Sequence, residues 1–156
     1  METGKGEFQA VSDLHLTSGE PSATAQSSAA APAENQRPVR VLLAEDSVPN
    51  QRIVGYMLRS LGCEALIVDT GVKALEALRQ QAFDLVLMDV RMPEMNGITT
   101  TEHIRRECDA EAQPRIYGLT AGVTAEDRQA CLDAGMDGFL AKPVSLDELA
   151  ALVRSL

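Results

Sequence analysis

The sequence contains few of the residues that build disulfide frameworks, zinc centres or nucleic-acid-binding surfaces. Its three cysteines, Cys63, Cys108 and Cys131, form no CxxC pair and are accompanied by only two histidines, so neither a disulfide scaffold nor a zinc site is predicted. Basic residues are also scarce, since 14 Lys and Arg stand against 23 Asp and Glu, a formal charge of −9. Because no stripe of basic residues could follow phosphates, we expect no direct binding to nucleic acid.

Long apolar runs are missing as well. No stretch approaches the ~20 apolar residues that a membrane-spanning helix needs, and the N-terminal residues lack the basic-then-apolar order of a secretory signal. The scattered cysteines suit a reducing compartment. We therefore expect a cytoplasmic chain that makes no direct membrane contact through this segment.

The first 38 residues show no sustained hydrophobic periodicity. Between Pro21 and Ala33 the composition narrows to Ala, Ser, Thr, Pro and Gln, which cannot bury enough apolar surface to form a core. We expect residues 1–38 to be a disordered tail or an interdomain linker. Residues 39–156 have the length of one folded domain.

From Val39 onward, five short apolar runs alternate with five segments of helical periodicity. Strands this short and apolar, separated by helices, are typical of a parallel sheet covered by helices on both faces. The sequence therefore predicts an α/β domain with a doubly wound, five-stranded parallel sheet. The predicted strands are Val39–Ala44, Ala65–Val68, Leu85–Asp89, Ile116–Leu119 and Gly138–Ala141.

Several predicted helices have a recognisable start or stop. Ser47 is a candidate cap of the first helix, Pro49 suits its first turn, and Gly62 ends it. Thr124 and Ser145 are candidate caps of the fourth and fifth helices. The apolar stripes are Ile53, Val54, Met57, Leu58 and Leu61 in the first helix and Val72, Leu75 and Leu78 in the second.

Polar side chains follow four of the predicted strands where each strand ends. They are Glu45 and Asp46 after the first strand, Asp89 after the third, Thr120 after the fourth and Lys142 after the fifth. Right-handed crossovers bring the carboxyl ends of parallel strands to one edge of the sheet, where open α/β sheets bind ligands. Neighbouring carboxylates raise one another's pKa unless a hard cation neutralises them, so the cluster predicts a site for Mg2+ or Mn2+.

A carboxylate beside a metal, a hydroxyl and a lysine suits phosphoryl transfer to the carboxylate itself. Asp89 would act as the nucleophile, while the metal and Lys142 offset charge on the equatorial oxygens of the phosphoryl group. The acyl phosphate would add charge and acceptor oxygens that recruit the Thr120 hydroxyl and shift the adjoining loop. The pattern thus predicts a phosphorylation switch.

With these motifs in this order between Val39 and Leu156, the sequence resembles the response-regulator receiver domains of two-component signalling, the chemotaxis-type fold. The resemblance implies a flavodoxin-like (βα)5 sheet of order 2-1-3-4-5. It also implies that a histidine kinase or a histidine phosphotransfer protein supplies the phosphoryl group. Such a domain is a phosphoacceptor rather than an enzyme, with only self-catalysed phosphotransfer and autodephosphorylation.

The resemblance implies roles for the residues around the metal. Asp89 matches the phosphoacceptor, and Asp46 matches the carboxylate that binds magnesium directly. Glu45 matches an acidic neighbour that acts through water, and the backbone carbonyl of Arg91 matches the third protein ligand.

The resemblance also implies a set of phosphate-binding and switch residues. Thr120 matches the switch hydroxyl, and Ala121 matches the small residue that leaves room for the phosphoryl group. Lys142 matches the phosphate-binding lysine, joined to Pro143 by a peptide bond expected to be cis. Phe139 lies at the position of a rotating aromatic residue, here without a tyrosine hydroxyl.

Two kinds of receiver fit the sequence. The segment Glu45–Gln51 is similar to that of receivers in hybrid histidine kinases, and the Ala/Ser/Pro-rich residues before the domain suit a linker in such a kinase. The chain would then be the cytoplasmic part of a kinase that is itself membrane-bound. The alternative is a free-standing regulator without an output domain after Leu156, which docks on partners through its fourth helix, fifth strand and fifth helix. Exposed Leu152 and Leu156 would mark a partner or dimer face there, although chain-end packing explains them equally well.

Two other classes share parts of this pattern. A phosphatase with an aspartyl-phosphate intermediate usually has a second acid two residues after the nucleophile, where this chain has Arg91. A flavin-binding module of the same fold needs a hydroxyl-rich phosphate loop after the first strand, where Glu45 and Asp46 would repel a phosphate. Both classes are therefore disfavoured.

Overall fold

The computed structural model describes residues 37–122 and 124–156. The predicted tail, residues 1–38, lies outside the described residues except for Arg37 and Pro38. The Arg37 guanidinium donates to both carboxylate oxygens of Asp84, at 2.8 and 2.7 Å. None of the helices in the described ranges has the length and apolar character needed to cross a bilayer.

Five strands and five α-helices alternate within the described residues, with one 3-10 turn at Ala110–Ala112. The strands are β1 Arg40–Ala44, β2 Glu64–Val68, β3 Leu85–Asp89, β4 Arg115–Thr120 and β5 Gly138–Ala141. The helices are α1 Val48–Ser60, α2 Gly71–Gln80, α3 Gly97–Glu107, α4 Ala125–Asp133 and α5 Leu146–Arg154. All neighbouring strands are parallel, in the order β2-β1-β3-β4-β5. The predicted fold class and strand order are confirmed.

The register of the strands brings their carboxyl ends to the same level. Ala44 pairs with Met88 across β1 and β3, and Asp89 pairs with Leu119 across β3 and β4. Thr120 in turn pairs with Ala141, the last residue of β5. Residues at the ends of four strands therefore emerge together at one edge of the sheet.

The core consists of two apolar layers, one on each face of the sheet. Along β1, Leu42 packs in one layer and Leu43 in the other, and both are fully buried. The first layer includes Ile104 of α3, and the second includes Leu58 of α1 and Leu149 of α5. Each fully buried leucine contributes about 1.5–3 kcal/mol, so the central strands form a rigid support for the residues at their ends.

Two predicted stripe positions are wrong, because Ile53 and Val72 are 53% and 41% exposed. The buried side of α1 is centred on Val54, Gly55 and Leu58 instead. A Cβ at Gly55 would lie 2.9 Å from the Ile67 side chain, so a glycine lets α1 pack closely on the sheet along that line. Small residues also form most of the buried side of α2, which therefore differs from the predicted stripe. Its buried residues are Gly71, Ala74, Leu75 and Ala77.

The expected exposure of Leu152 is also wrong. Leu152 is 6% exposed and packs with Leu149, one turn earlier on α5, in the second layer. Leu156 is 40% exposed, because it lies beyond Arg154, where α5 ends. Chain-end packing therefore accounts for Leu152 but not for Leu156.

Candidate functional site

Three carboxylates gather at the carboxyl edge of the sheet. Oxygen atoms of Glu45, Asp46 and Asp89 lie within 4.8 Å of one another. Glu45 and Asp89 are buried, with 1% and 3% of their surfaces exposed, whereas Asp46 is exposed. The cluster thus has a buried side, formed by two acids, and one acid facing solvent.

Lys142 provides the positive charge on the buried side of the cluster. Its Nζ lies 2.9 Å from Glu45 Oε2 and 3.0 Å from Asp89 Oδ1. Burial lowers the pKa of Lys142, but its contacts with the two carboxylates outweigh burial and raise the pKa above the ordinary 10.5. Lys142 is therefore a fixed cation at this edge.

The pKa of Asp89 is raised from its ordinary 3.8 to about 6. Burial is the main cause, because it disfavours the charged carboxylate. Lys142 and the Arg91 N–H lower the pKa, while the charge of Glu45 adds a smaller upward contribution. The rise expected from crowded carboxylates is thus mostly a consequence of burial.

The Glu45 side chain contacts a backbone donor and the Lys142 ammonium. Its Oε1 accepts a hydrogen bond of 3.1 Å from the Ser47 N–H. Its Oε2 is buried and contacts Lys142, but without the alignment of a hydrogen bond. Ser47 stands at the start of α1, yet its side chain makes no capping hydrogen bond. Ser47 is thus the N-cap residue of α1 as predicted, but it donates its backbone N–H to Glu45 and provides no side-chain cap.

The arrangement fits a hard divalent cation. A buried carboxylate oxygen without an aligned donor, together with the neighbouring oxygens of Asp46 and Asp89, provides the all-oxygen donor set that Mg2+ prefers. The three clustered carboxylates are the ones that the sequence predicted as ligands, and their role as ligands stays a prediction. Arg91 is exposed and its N–H donates 3.0 Å to Asp89 Oδ1, while the role of its carbonyl stays a prediction.

Gly97 packs closely against the backbone of Asp89. It was not among the predicted site residues. A Cβ at Gly97 would lie 2.2 Å from the Asp89 carbonyl oxygen, so only glycine lets α3 start against the end of β3. Asn96 caps this helix, because its side chain accepts a 2.8 Å hydrogen bond from the Thr99 N–H. The Asn-Gly pair is typical of a loop, and nothing local in it indicates a helix start beside the nucleophile.

Thr120 lies at the end of β4 with 7% of its surface exposed. Its hydroxyl donates to the Gly122 carbonyl at 2.6 Å and accepts from the Gly122 N–H at 3.2 Å. The hydroxyl is thus bonded within its own loop and not to Asp89. Ala121, which lies between Thr120 and Gly122 in the chain, is exposed and has no side chain beyond Cβ.

Phe139 of β5 is half-buried and packs beneath a cation. The Arg128 guanidinium on α4 lies 5.2 Å from the centroid of its ring, a cation–π arrangement. Sequence reasoning missed Arg128, because the contact crosses from α4 to β5 and no spacing along the chain indicates it. The switch roles of Thr120, Ala121 and Phe139 stay predictions.

An apolar pocket adjoins the acidic cluster between α1 and the loop after β5. The Lys142–Pro143 peptide bond in that loop is cis, as the resemblance implied. The pocket borders Glu45 and Lys142, and its other walls are Asn50, Ile53, Val54, Leu119, Pro143 and Val144. Exposed Ile53 thus lies beside the site rather than in the core.

Comparison with known families adds to this geometry. A family model described as the response regulator receiver domain matches residues 41–154. The chain belongs to this family. The receiver domain is 40% identical over 121 residues to the sensor histidine kinase GacS of Pseudomonas protegens, an alignment that covers 76% of this chain and 13% of that kinase. The chain therefore spans a small part of the length of this relative.

Solved structures show the same fold. The receiver domain of the sensor histidine kinase PA1611 from Pseudomonas aeruginosa PAO1 is 36% identical, with a TM-score of 0.70, over 76% of this chain and 97% of that one. That structure has a magnesium ion coordinated in its active site cleft. A chain in the co-crystal of the Saccharomyces cerevisiae histidine phosphotransfer protein Ypd1 with the Ssk1 receiver domain is 28% identical, with a TM-score of 0.68, over 74% of this chain and 86% of that one.

Proposed function

We propose that this receiver domain accepts a phosphoryl group on Asp89 from a histidine kinase or a histidine phosphotransfer protein and serves as the phosphoacceptor of a two-component phosphorelay. One observation carries the proposal. Asp89 is a buried carboxylate at the end of a central strand, 3.0 Å from the Lys142 ammonium and within 4.8 Å of two further acids. A buried nucleophile paired with a fixed cation suits the transfer of an anionic group.

In the transfer itself, a carboxylate oxygen of Asp89 forms a bond to phosphorus while the bond from phosphorus to the donor imidazole breaks, and the imidazole leaves with the electron pair. Lys142 offsets the negative charge on the phosphoryl oxygens. The Arg91 N–H fixes Asp89 Oδ1 and so orients the carboxylate. Mg2+ or Mn2+ held by Glu45, Asp46, Asp89 and the Arg91 carbonyl would supply further positive charge.

The proposed switch begins at Thr120. Once a phosphoryl group is present on Asp89, its oxygens compete with the Gly122 carbonyl for the Thr120 hydroxyl. Ala121 leaves room for the group, and the loop before α4 moves with Thr120. Phe139 then changes its packing against Arg128.

We propose that the domain is not a turnover enzyme. Arg91 occupies the position where an aspartyl-phosphate phosphatase has its general acid. Self-catalysed phosphotransfer and slow autodephosphorylation are then the only reactions of the site.

The parent protein that we propose is a hybrid histidine kinase, because relatives such as GacS are sensor histidine kinases much longer than this chain. Residues 1–38 would be a tail or linker ahead of the domain. Free Cys63, Cys108 and Cys131 suit the cytoplasm. A free-standing regulator remains the alternative, with its partner or dimer face on α4, β5 and α5, where Leu132 and Leu146 are 47% and 45% exposed.

The donor contact that we propose is α1. Val48, Ile53 and Tyr56 are 53%, 53% and 73% exposed on this helix, and the apolar pocket beside Lys142 begins at Ile53. Exposed apolar side chains around a buried nucleophile suit a protein that must bring its histidine to Asp89.

Acetyl phosphate with Mg2+ tests the function directly. Intact-mass measurement should find one phosphoryl group on the wild-type chain and none on Asp89→Asn. Asp109→Asn, an exposed aspartate outside the site, is the matched control and should be phosphorylated as fully as wild type. Equal labelling of Asp89→Asn, or no labelling of wild type by either acetyl phosphate or a phosphorylated histidine phosphotransfer protein, would overturn the proposal.

A further inference from the structure

Asp46 is the least restrained of the three clustered acids. Its side chain is exposed, whereas Glu45 and Asp89 are buried and contact Lys142. Among the hydrogen bonds of the described residues, none involves the Asp46 carboxylate. Its position therefore depends on the backbone that carries it.

The peptide unit that leads into Asp46 is fixed by a side chain from α1. Gln51 Nε2 donates a 2.6 Å hydrogen bond to the Glu45 carbonyl, the carbonyl of the peptide bond between Glu45 and Asp46. Gln51 is itself anchored, because its N–H donates to the Ser47 carbonyl at 2.9 Å in the first turn of α1. On the other side, the Glu45 N–H donates to the Val68 carbonyl of β2 at 3.0 Å.

These contacts hold the Glu45 backbone on both sides, but of the two only the Gln51 bond acts on the Glu45–Asp46 peptide itself. Rotation of this peptide would swing the Asp46 carboxylate relative to Asp89, since Asp46 has no side-chain partner among the described residues to resist the movement. The bond to Val68 holds only the amide side of Glu45. Gln51 provides the restraint on the carbonyl side.

We propose that Gln51 is a positioning residue for the cation site and that its amide keeps Asp46 aligned with Glu45 and Asp89. Gln51 acts through the Glu45 carbonyl and does not touch the ion. The inference rests on the proposed function, because the site is the one assigned there. Mg2+ demands near-ideal octahedral geometry, so a carboxylate free to swing binds it more weakly.

Gln51→Met tests this role, since it keeps the side-chain length and removes both amide donors. Gln80→Met, an exposed glutamine on α2, is the matched control. Backbone NMR titration with Mg2+ and electron paramagnetic resonance with Mn2+ should give a Kd raised about 3- to 10-fold for Gln51→Met, the range for loss of one neutral hydrogen bond. Gln80→Met should match wild type.

A double-mutant cycle with Asp46→Asn separates positioning from stability. If Gln51 acts through Asp46, Gln51→Met should weaken Mg2+ binding in the wild-type background and have no further effect in the Asp46→Asn background. An unchanged Mg2+ affinity of Gln51→Met, with or without a lower Tm, overturns the inference. An equal loss of affinity in both backgrounds also overturns it.

A second Gln51 variant and a separate phosphorylation measurement complete the test. Gln51→Asn retains the amide on a shorter side chain and replaces Gln51→Met if the methionine variant does not fold. Phosphorylation of Asp89 in the wild-type chain is measured separately at saturating Mg2+. If the wild-type chain binds Mg2+ but is never phosphorylated, the proposed function fails while the Gln51 result stands.

Discussion

Lys142 Nζ lies 3.0 Å from Asp89 Oδ1, and the same ammonium lies 2.9 Å from Glu45 Oε2. One half-buried cation therefore faces two buried acids. The excess of negative charge affects the pKa of Asp89. Burial and the charge of Glu45 raise this pKa more than the contacts with Lys142 and Arg91 lower it, so that it lies at about 6. Without a metal ion in the cluster, the ionised Asp89 opposes folding.

Replacing Asp89 with asparagine should therefore stabilise the metal-free domain above pH 6. A carboxylate whose folded-state pKa is raised binds its proton more tightly when folded, so stability falls as pH rises from about 4 to about 6 and the penalty is complete above that range. We expect Asp89→Asn to raise the free energy of unfolding by about 1–3 kcal/mol at pH 8 and by much less at pH 4.5. Urea unfolding in EDTA at both pH values measures the difference, with Asp109→Asn as the control. If Asp89→Asn raised the free energy of unfolding equally at both pH values, burial of the ionised Asp89 carboxylate would not be the cause.

Thr120→Val should uncouple phosphorylation from the loop before α4. Valine has the same shape as threonine but cannot donate to a phosphoryl oxygen or to the Gly122 carbonyl. We expect beryllofluoride with Mg2+ still to bind at Asp89, while the amide signals of Gly122 and Phe139 no longer shift in NMR spectra. Thr120→Ser keeps the hydroxyl and should retain the shifts. Wild-type shifts in Thr120→Val would show that the hydroxyl is not the switch.

Charge on the exposed side of α1 should slow transfer from a protein donor only. We expect Tyr56→Glu to lower the phosphotransfer rate from a histidine phosphotransfer protein by about 10-fold or more, since removing a central apolar side chain from a docking interface costs about 2 kcal/mol. The rate of this variant with acetyl phosphate should not change, because Tyr56 lies outside the pocket that borders Glu45 and Lys142. Val72→Glu, on the exposed side of α2, is the control. Equal slowing by Val72→Glu would argue against α1 as the donor contact.

Arg105→Lys should destabilise the fold. The Arg105 guanidinium donates to the carbonyls of Gly135 and Pro114 at 2.8 and 3.0 Å and to the carboxylate of Asp137 at 2.9 Å, so it joins α3 to the loops before β4 and β5. A lysine ammonium cannot reach acceptors in three directions, and we expect the free energy of unfolding to fall by about 2–3 kcal/mol. Arg106→Lys is the neighbouring control, because Arg106 has an exposed side chain and only a 3.8 Å pair with Glu102. Its effect should stay below about 0.5 kcal/mol, and similar effects in the two variants would show that the Arg105 hydrogen bonds contribute little.

Local patterns predicted the elements of this fold well, because strands and helix starts depend on short-range chemistry. Predicted β5 coincides with the observed strand, and Thr124 and Ser145 cap α4 and α5 as expected. The wrong positions, Ile53 and Val72, arose from counting only large apolar residues. Gly55 and the alanines of α2 define the buried sides of those helices, and which small residue faces the sheet depends on how closely the helix packs.

The sequence by itself determined which chemical groups end the strands, since Glu45, Asp46, Asp89, Thr120 and Lys142 each follow an apolar run and parallel strands share one carboxyl edge. The hydrophobic periodicity of the sequence did not predict the strand order. That prediction came from the family resemblance, and the structure confirms it. Only the tertiary structure decided that Lys142 contacts two acids at once, that Gln51 holds the Glu45 carbonyl and that Arg128 covers Phe139. Each of these contacts joins different elements or bridges a loop and a helix, and its geometry depends on packing that no spacing along the chain encodes.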